Sequence, residues 1–305
     1  MKVLSLFDGI SCGRVALERA GIPVEAYYAS EIDRYAIQIS QKNYPDIVQV
    51  GSIEQLTVNT CGLLCRNTVE FYETQGIDLL IGGSPCQDLS NYKYDRGEVK
   101  GLDGDKSNLF YHFVRILKET KPRYFILENV ASMQKKWSDI ISKELGVEPI
   151  MINSALVCAA ERKRLYWTNI PGVVQPEDKN TCLREIIVPA ELVPEKYWYS
   201  KYDVVYNGSD KKVEATILLK GHRQAKEVYN LNSKCNTLLC DGNGGNLMKK
   251  VYQNGKVRKL MPLEYERLQT LPDNYTDSVS DSARYTAIGN GWTVDVVAHI
   301  LRFIN

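Results

Sequence analysis

The chain has no long hydrophobic run. No apolar stretch reaches the roughly eighteen residues that a helix needs to cross a bilayer, so no membrane partner is expected. The opening segment Met1–Gly9 has neither the apolar core nor the small-residue cleavage site of a secretory leader. An excess of charge of either sign is also missing: 38 basic against 37 acidic residues leave a net charge of +1. A nucleic-acid surface would therefore have to come from local segregation of charge. Histidine is scarce, at three residues, and the eight cysteines are irregularly spaced. Cys61 and Cys65 form an isolated pair with no second pair and no nearby histidine, so no metal site is expected. With no leader, the thiols are expected to be reduced and the protein cytoplasmic. There are no internal repeats, no low-complexity tail and no Gly-x-Gly-x-x-Gly fingerprint, which argues against a nicotinamide-dependent oxidoreductase.

What is present is 305 residues, 44% hydrophobic and 25% charged, enough for one large core with a smaller satellite domain. The first half alternates strand and helix. Lys2–Phe7 is a short apolar run ending in Asp8-Gly9, and Gly13–Ala20 has helical spacing and stops at Gly21. Val24–Ser30 reads as strand, Asp33–Asn43 as helix, Ile47–Val50 and Ile77–Ile81 as strands, Asn108–Thr120 as an amphipathic helix, and Tyr124–Leu127 as strand. Pro149–Val157 and Leu165–Ile170 complete the series. Such alternation predicts an α/β fold with a mostly parallel, doubly wound sheet, whose ligands bind outside the carboxyl ends of its strands. After Pro171-Gly172 the pattern changes to short β-type runs, Lys196–Tyr202 and Glu214–Leu219, with a Gly/Asn cluster at 241–246. A helix is predicted from Pro262 to about Leu271, and another over Thr293–Phe303. This divides the chain into 1–172, a small β-rich domain at 173–250, and a returning segment at 251–305.

The chemistry-bearing residues follow strands. Gly82-Gly83-Ser84-Pro85-Cys86-Gln87 places a thiol after a buried strand, where backbone donors can favour the thiolate. The polar segment Gln87–Lys106, with Gly97, Gly101 and Gly104, reads as a lid or binding loop. Glu128 closes the strand Tyr124–Leu127, so two strands of one sheet would deliver a thiol and a carboxyl group to one crevice. Glu31, at the end of the second strand, is placed to accept hydrogen bonds from ribose hydroxyls. The Asp8-Gly9 turn suits a nucleoside cofactor without a pyrophosphate.

Taken in order, these segments resemble the DNA cytosine-5 methyltransferase family. The matching segments are Phe7-Asp8-Gly9 with Gly13, Glu31, Pro85-Cys86-Gln87, Glu128-Asn129-Val130, Arg162-Lys163-Arg164 and Tyr166-Trp167-Thr168-Asn169. Lys234–Thr237, Arg258–Leu260, Glu266-Arg267-Leu268-Gln269, Leu271-Pro272-Asp273 and Ile288-Gly289-Asn290-Gly291-Trp292-Thr293-Val294 extend the match through nearly the whole chain. The motif wording is closest to the de novo type of animal enzyme, in a compact bacterial or phage-like form without regulatory domains. Two positions depart from the family pattern: Ala160 stands where a glutamine is usual, and Ser52 where an acid usually meets the adenine amino group.

The resemblance implies a class I S-adenosylmethionine-dependent methyltransferase fold with a small target recognition domain. It implies S-adenosylmethionine as cofactor, S-adenosylhomocysteine as product, and transfer to carbon 5 of a cytosine flipped out of double-stranded DNA, in a restriction–modification setting. Cys86 would add to carbon 6; Glu128, holding or sharing a proton, would bind ring nitrogen 3 and the exocyclic amine; Arg164 would bind the base carbonyl and Arg162 would order the site. Phe7, Asp8, Gly9, Ile10, Gly13, Glu31, Ile32, Ser52, Ile53, Gly83, Pro85, Asn290, Gly291 and Trp292 would hold the cofactor. Gln87, Ser90, Arg96, Asn129 and Thr237 would contact substrate DNA, with phosphate contacts expected from Lys93, Lys100, Lys106, Lys220, Arg223, Lys249 and Lys250. A recognition segment this short either reads a short site or works with a second subunit, which leaves a homodimer open. One animal branch of the family acts on transfer RNA, but its Cys-Phe-Thr tripeptide is missing here. A catalytically inactive relative would be expected to have lost Cys86, Glu128 or the arginines, and all are present.

Overall fold

The structure, a computed structural model, describes residues 1–58, 62–65, 70–73, 76–85, 89, 101–104, 107–199, 203–218, 223–239 and 247–304. The chain divides into two compact units. Unit 1 comprises Met1–Ile152, Lys163–Gln175 and Val297–Asn305; unit 2 comprises Asn153–Arg162 and Pro176–Val296.

Unit 1 alternates as the apolar runs predict: β1 (Lys2–Leu6), α1 (Cys12–Arg19), β2 (Ala26–Ser30), α2 (Arg34–Asn43) and β3 (Val48–Gln49). Asp33 starts α2 as its N-cap, accepting from the amides of Tyr35 and Ala36 at 2.8 and 3.0 Å. Three short antiparallel strands follow, β4 (Leu56–Val58), β5 (Gly62–Cys65) and β6 (Glu70–Glu73). No element was expected there, because these runs are too short to show a period. The chain continues with β7 (Leu79–Gly83), α3 (Phe110–Thr120), β8 (Tyr124–Val130), α4 (Lys135–Leu145), β9 (Ile150–Asn153) and β10 (Lys163–Thr168). α4 is a second unexpected element. The expected strand Pro149–Val157 stops at Asn153, whose side chain caps a 3-10 turn at Ser154–Leu156.

The main sheet has the order β3-β2-β1-β7-β8-β10-β9. β3, β2, β1, β7 and β8 run parallel, and β10 is antiparallel to β8. The winding reverses between β1 and β7, and open α/β sheets bind ligands at the carboxyl ends beside such a reversal. The core is built on Leu4, Leu6, Leu80, Leu127, Phe113 and Trp167. Gly82 is needed for this packing: a Cβ there would lie 3.0 Å from the Leu6 carbonyl oxygen and from the Phe113 ring.

Unit 2 carries β11 (Val204–Tyr206), β12 (Val213–Ile217), the single turn α5 (Arg223–Lys226), β13 (Glu227–Tyr229), β14 (Lys250–Gln253) and β15 (Lys256–Lys259), followed by α6 (Pro262–Leu268) and α7 (Asp281–Asn290). α8 spans Val294–Leu301. The five strands form one sheet in chain order. The predicted strand at Lys196–Tyr202 is instead a 3-10 turn at Glu195–Tyr197 and an isolated bridge from Trp198 to Arg258; residues 200–202 lie outside the described residues. α6 ends at Leu268, three residues early, because Gln269 leaves the helical region, and Thr270 takes a φ of +55°. Residues 251–296 pack with unit 2 and only 297–305 with unit 1, so the compact units do not follow the segment boundaries read from the sequence. The core of unit 2 includes Leu260, Tyr265, Leu268, Tyr285 and Ile288. Against it lies a fully buried ion pair, Arg258 to Glu264 at 2.6 Å, both side chains 0% exposed.

Candidate active site

Register brings the two predicted reacting segments together at one end of the unit 1 sheet. Gly83 at the end of β7 pairs with Glu128 in β8. Ser84 and Pro85 follow at once. Cys86 itself, with Gln87, Ser90, Lys93, Arg96 and Lys100, lies outside the described residues, as do Lys106 and Lys220. Asn129 fastens the preceding turn: its Nδ2 donates to the carbonyl and hydroxyl of Ser84 at 3.2 and 3.0 Å, and its Oδ1 accepts from the Val130 amide. Asn129 is 1% exposed, so the expected DNA contact gives way to a role in holding Ser84 at the end of β7.

Glu128 is mostly buried, and its Oε1 lies 2.7 Å from Nε of Arg164. Strand geometry explains the pair. In the antiparallel β8–β10 ladder Tyr166 faces Glu128 and Arg164 faces Val130. Arg164 and Glu128 are therefore diagonal neighbours on one face, within reach of a long side chain. A planar guanidinium beside a carboxyl group suits recognition of a flat ring that offers both donors and acceptors. Arg162 goes elsewhere. It belongs to unit 2, is 6% exposed, and donates from Nη1 and Nη2 to the carbonyls of Gly289 and Gly291 at 3.3 and 3.0 Å.

The predicted cofactor turn follows β1. Phe7, Gly9 and Ser11 all have φ between +57° and +60°, so three of five residues are left-handed, and a Cβ built on Gly9 meets nothing within 4 Å. Glu31 braces this turn from the end of β2. Its Oε2 accepts from the Gly9 amide at 2.7 Å and its Oε1 from the amides of Ile32 and Asp33 at 2.7 and 2.9 Å. The next residue, Ile32, stands 77% exposed. An open turn, a carboxylate at the strand end and an exposed aliphatic side chain fit a nucleoside: hydroxyls for the acid, an apolar surface for a base.

Asp8 differs from its expected role. Its carboxylate accepts from the hydroxyls of Tyr27, at 2.7 Å, and Ser11, and the Ser11 hydroxyl also bonds to that of Ser40. Burial pushes the Asp8 carboxyl up to about 6, against the lowering effect of the hydrogen bonds from Ser11, Ser5 and Tyr27. Asp8 therefore shapes the turn from within. Ile53 is likewise a core residue, 5% exposed, which leaves Ile32 as the exposed apolar surface. Ile10 and Gly13 are buried in the turn and in α1. The Ser52 hydroxyl accepts from the Glu54 amide at 3.3 Å.

In unit 2, Asn290 is exposed, Gly291 buried and Trp292 half-buried, at the junction of α7 and α8. The Thr237 hydroxyl donates to the Glu161 carbonyl at 2.7 Å. Lys249 and Lys250, expected at phosphates, are both 0% exposed. Lys250 Nζ donates to the carbonyls of Ala225 and Met248 at 2.8 and 2.9 Å, and Lys249 Nζ to Gln224 at 3.2 Å. Burial lowers the pKa of Lys249. Both lysines are interior braces, and the sequence showed only their charge. Among the described residues no group of His, Cys, Asp and Glu side chains could hold a metal, and no helix is long and apolar enough to cross a membrane.

The family model for C-5 cytosine-specific DNA methylases matches residues 1–147 and 159–305. The chain belongs to that family. It is a DNA cytosine-5 methyltransferase, with S-adenosylmethionine as methyl donor and double-stranded DNA as substrate. Type II methyltransferase M.HhaI of Haemophilus parahaemolyticus is 26% identical over 327 residues, covering 98% of this chain and 93% of the relative. Type II methyltransferase M.NlaX of Neisseria lactamica is 29% identical over 321 residues, covering 98% and 94%. Methyltransferase EhMeth of Entamoeba histolytica superposes with a TM-score of 0.70 at 17% identity, covering 99% of this chain and 97% of that one. With the sheet order above, this likeness establishes the S-adenosylmethionine-dependent methyltransferase fold and an additional β-rich region. Gln269, whose side chain donates to the carbonyls of Ile288 and Gly291, was visible in the sequence only as part of the matching Glu266–Gln269 segment.

Proposed function

We propose that this methyltransferase works through a covalent adduct at Cys86, with Glu128 and Arg164 as the groups that hold the cytosine ring. The observation that carries the reading is the 2.7 Å Glu128–Arg164 pair beside the Ser84-Pro85 strand end that leads to Cys86. The Cys86 thiolate forms a bond to carbon 6, and the carbon 5–carbon 6 π pair shifts toward carbon 5. Glu128 donates a proton to ring nitrogen 3 as this happens and receives the exocyclic amine as a hydrogen-bond acceptor. Arg164 donates to the base carbonyl while keeping the Glu128 carboxyl in place. S-adenosylmethionine, when bound, supplies an electrophilic methyl group to carbon 5. A water then takes the carbon 5 proton, the double bond re-forms, the thiolate leaves, and nitrogen 3 returns its proton to Glu128.

The cofactor would be held by the Phe7–Ser11 turn, by Glu31 at ribose hydroxyls, by Ile32 and Ser52 around adenine, by Gly83 and Pro85 at the β7 end, and by Asn290, Gly291 and Trp292. Residues 1–172 are assigned the chemistry and 173–250 target recognition; of the returning segment 251–305, only 297–305 group with unit 1. The bacterial type II relatives support a cytoplasmic setting and a modification role.

The test is incubation with tritiated S-adenosylmethionine and either duplex DNA or transfer RNA, beside a Cys86→Ser control. Label on DNA that disappears in the variant supports the mechanism. Label on DNA independent of Cys86 overturns it, and label confined to transfer RNA overturns the substrate.

A further inference from the structure

The α7–α8 junction is fixed from behind by side chains that come from far away in the chain. The last carbonyls of a helix have no partner within it. At the end of α7 these acceptors are taken by two residues. Gln269 Nε2 donates to Ile288 O at 2.9 Å and to Gly291 O at 3.0 Å. Arg162 donates to Gly289 O at 3.3 Å and to Gly291 O at 3.0 Å. The Gly291 carbonyl thus accepts from both. Arg162 also places a positive charge at a helix C-terminus, where the macrodipole favours it.

Gln269 is oriented in turn. Its Oε1 accepts from the Thr293 hydroxyl at 2.6 Å, and its backbone carbonyl accepts from the Val294 amide at 3.0 Å. Its amide group therefore has one rotamer and one flip state that satisfy every partner. Gln269 is 2% exposed and Thr293 1% exposed, so water cannot substitute for a lost bond. The neighbours on either side of Gly291, exposed Asn290 and half-buried Trp292, are thereby held at a fixed angle.

We infer that Gln269, together with Arg162, is a positioning residue for S-adenosylmethionine, acting through the Asn290-Gly291-Trp292 turn and touching neither cofactor nor base. The inference rests on the proposed placement of that turn at the cofactor. It also gives Arg162, expected from the resemblance to order the site, a specific group to order: the Asn290-Gly291-Trp292 turn.

The test uses the full-length protein and S-adenosylhomocysteine as the calorimetric probe, with steady-state kinetics alongside. Gln269→Leu should weaken binding of the probe about tenfold, and Thr293→Val, a milder change that leaves Gln269 in place, about threefold. The KM for S-adenosylmethionine should rise in parallel, with the KM for DNA changed less than about twofold. Arg162→Lys, which keeps the charge and one donor, should recover part of the affinity lost in Arg162→Met. A folded Thr293→Val or Gln269→Leu variant that binds the probe like the parent, or loses DNA and cofactor affinity equally, overturns the inference. Trp292→Ala separates the two levels. If it binds the probe normally, the turn does not meet the cofactor, and the underlying placement fails along with the inference. If it weakens binding while Gln269→Leu and Thr293→Val do not, only the positioning role fails.

Discussion

Arg164 reaches Glu128 along the diagonal of an antiparallel strand pair, Nε to Oε1 at 2.7 Å. A base that binds at this pair meets both groups already in place. Glu128→Gln keeps the shape and removes the exchangeable proton, so single-turnover methyl transfer should fall by about 10²–10⁴-fold, with duplex affinity changed less than about threefold. Arg164→Lys should also slow transfer, because an ammonium cannot reproduce the planar donor edge. A Glu128→Gln rate within about twofold of the parent would remove the carboxyl from the chemistry.

Lys250 was expected at a phosphate and is instead buried, donating to Ala225 and Met248. Each phosphate contact contributes about 0.9 to the slope of log K against log salt. Lys250→Met should leave that slope unchanged while lowering the unfolding temperature. A slope reduced by about one would mean that Lys250 reaches DNA after all.

The Arg258–Glu264 pair has no exposed side-chain surface. Glu264 also accepts from the amides of Val188 and Met261. Removing one partner leaves an uncompensated charge inside unit 2, so Glu264→Leu or Arg258→Met should each cost about 3–5 kcal/mol in urea unfolding. The double variant should be less destabilised than the sum of the two, because no lone charge remains.

The same contrast marks how far the sequence could be read. The parallel strands of unit 1 were legible because buried strands are continuous apolar runs bounded by turn residues, although the runs Ile77–Ile81 and Tyr124–Leu127 mark β7 and β8 only in part: the strands extend to Gly83 and Val130. Glu128 thus lies inside β8 rather than closing it, and it is the pairing with Gly83 that brings it beside Pro85. β4–β6 were not legible: three strands of three or four residues carry no measurable period. α7 was missed because its sequence, Asp281–Asn290, is nearly as polar on one side as the other. Burial of Lys249, Lys250 and Asn129 was hidden because a side chain's partners, not its type, decide whether a polar group can leave water. Arg162 and Arg164 share a strand-like spacing, yet tertiary partners send one guanidinium to Gly289 and Gly291 and the other to Glu128.

Asp8 gives a pH signature. Burial raises its carboxyl from 3.8 to about 6, so between those values the folded chain binds a proton that the unfolded chain does not. Stability from this group is present at low pH and is lost as pH rises through about 6. Asp8→Asn removes the titration. The stability of the parent relative to this variant should therefore fall by roughly 1–3 kcal/mol between pH 4 and pH 7, measured by urea unfolding in matched buffers. A constant difference across that range would show that Asp8 ionises like a solvated carboxyl group.

The proposed bond between Cys86 and carbon 6 of the target cytosine can be trapped. A fluorine at carbon 5 of the target cannot leave as a proton does, so the adduct should persist once the methyl group has been added. Duplex DNA carrying that base, incubated with the protein and S-adenosylmethionine, should give a complex that survives denaturation. Peptide mapping should place the DNA on Cys86, and Cys86→Ser should give none. A stable complex mapped to another residue, or methyl transfer to ordinary duplex DNA that persists in Cys86→Ser, would contradict the account.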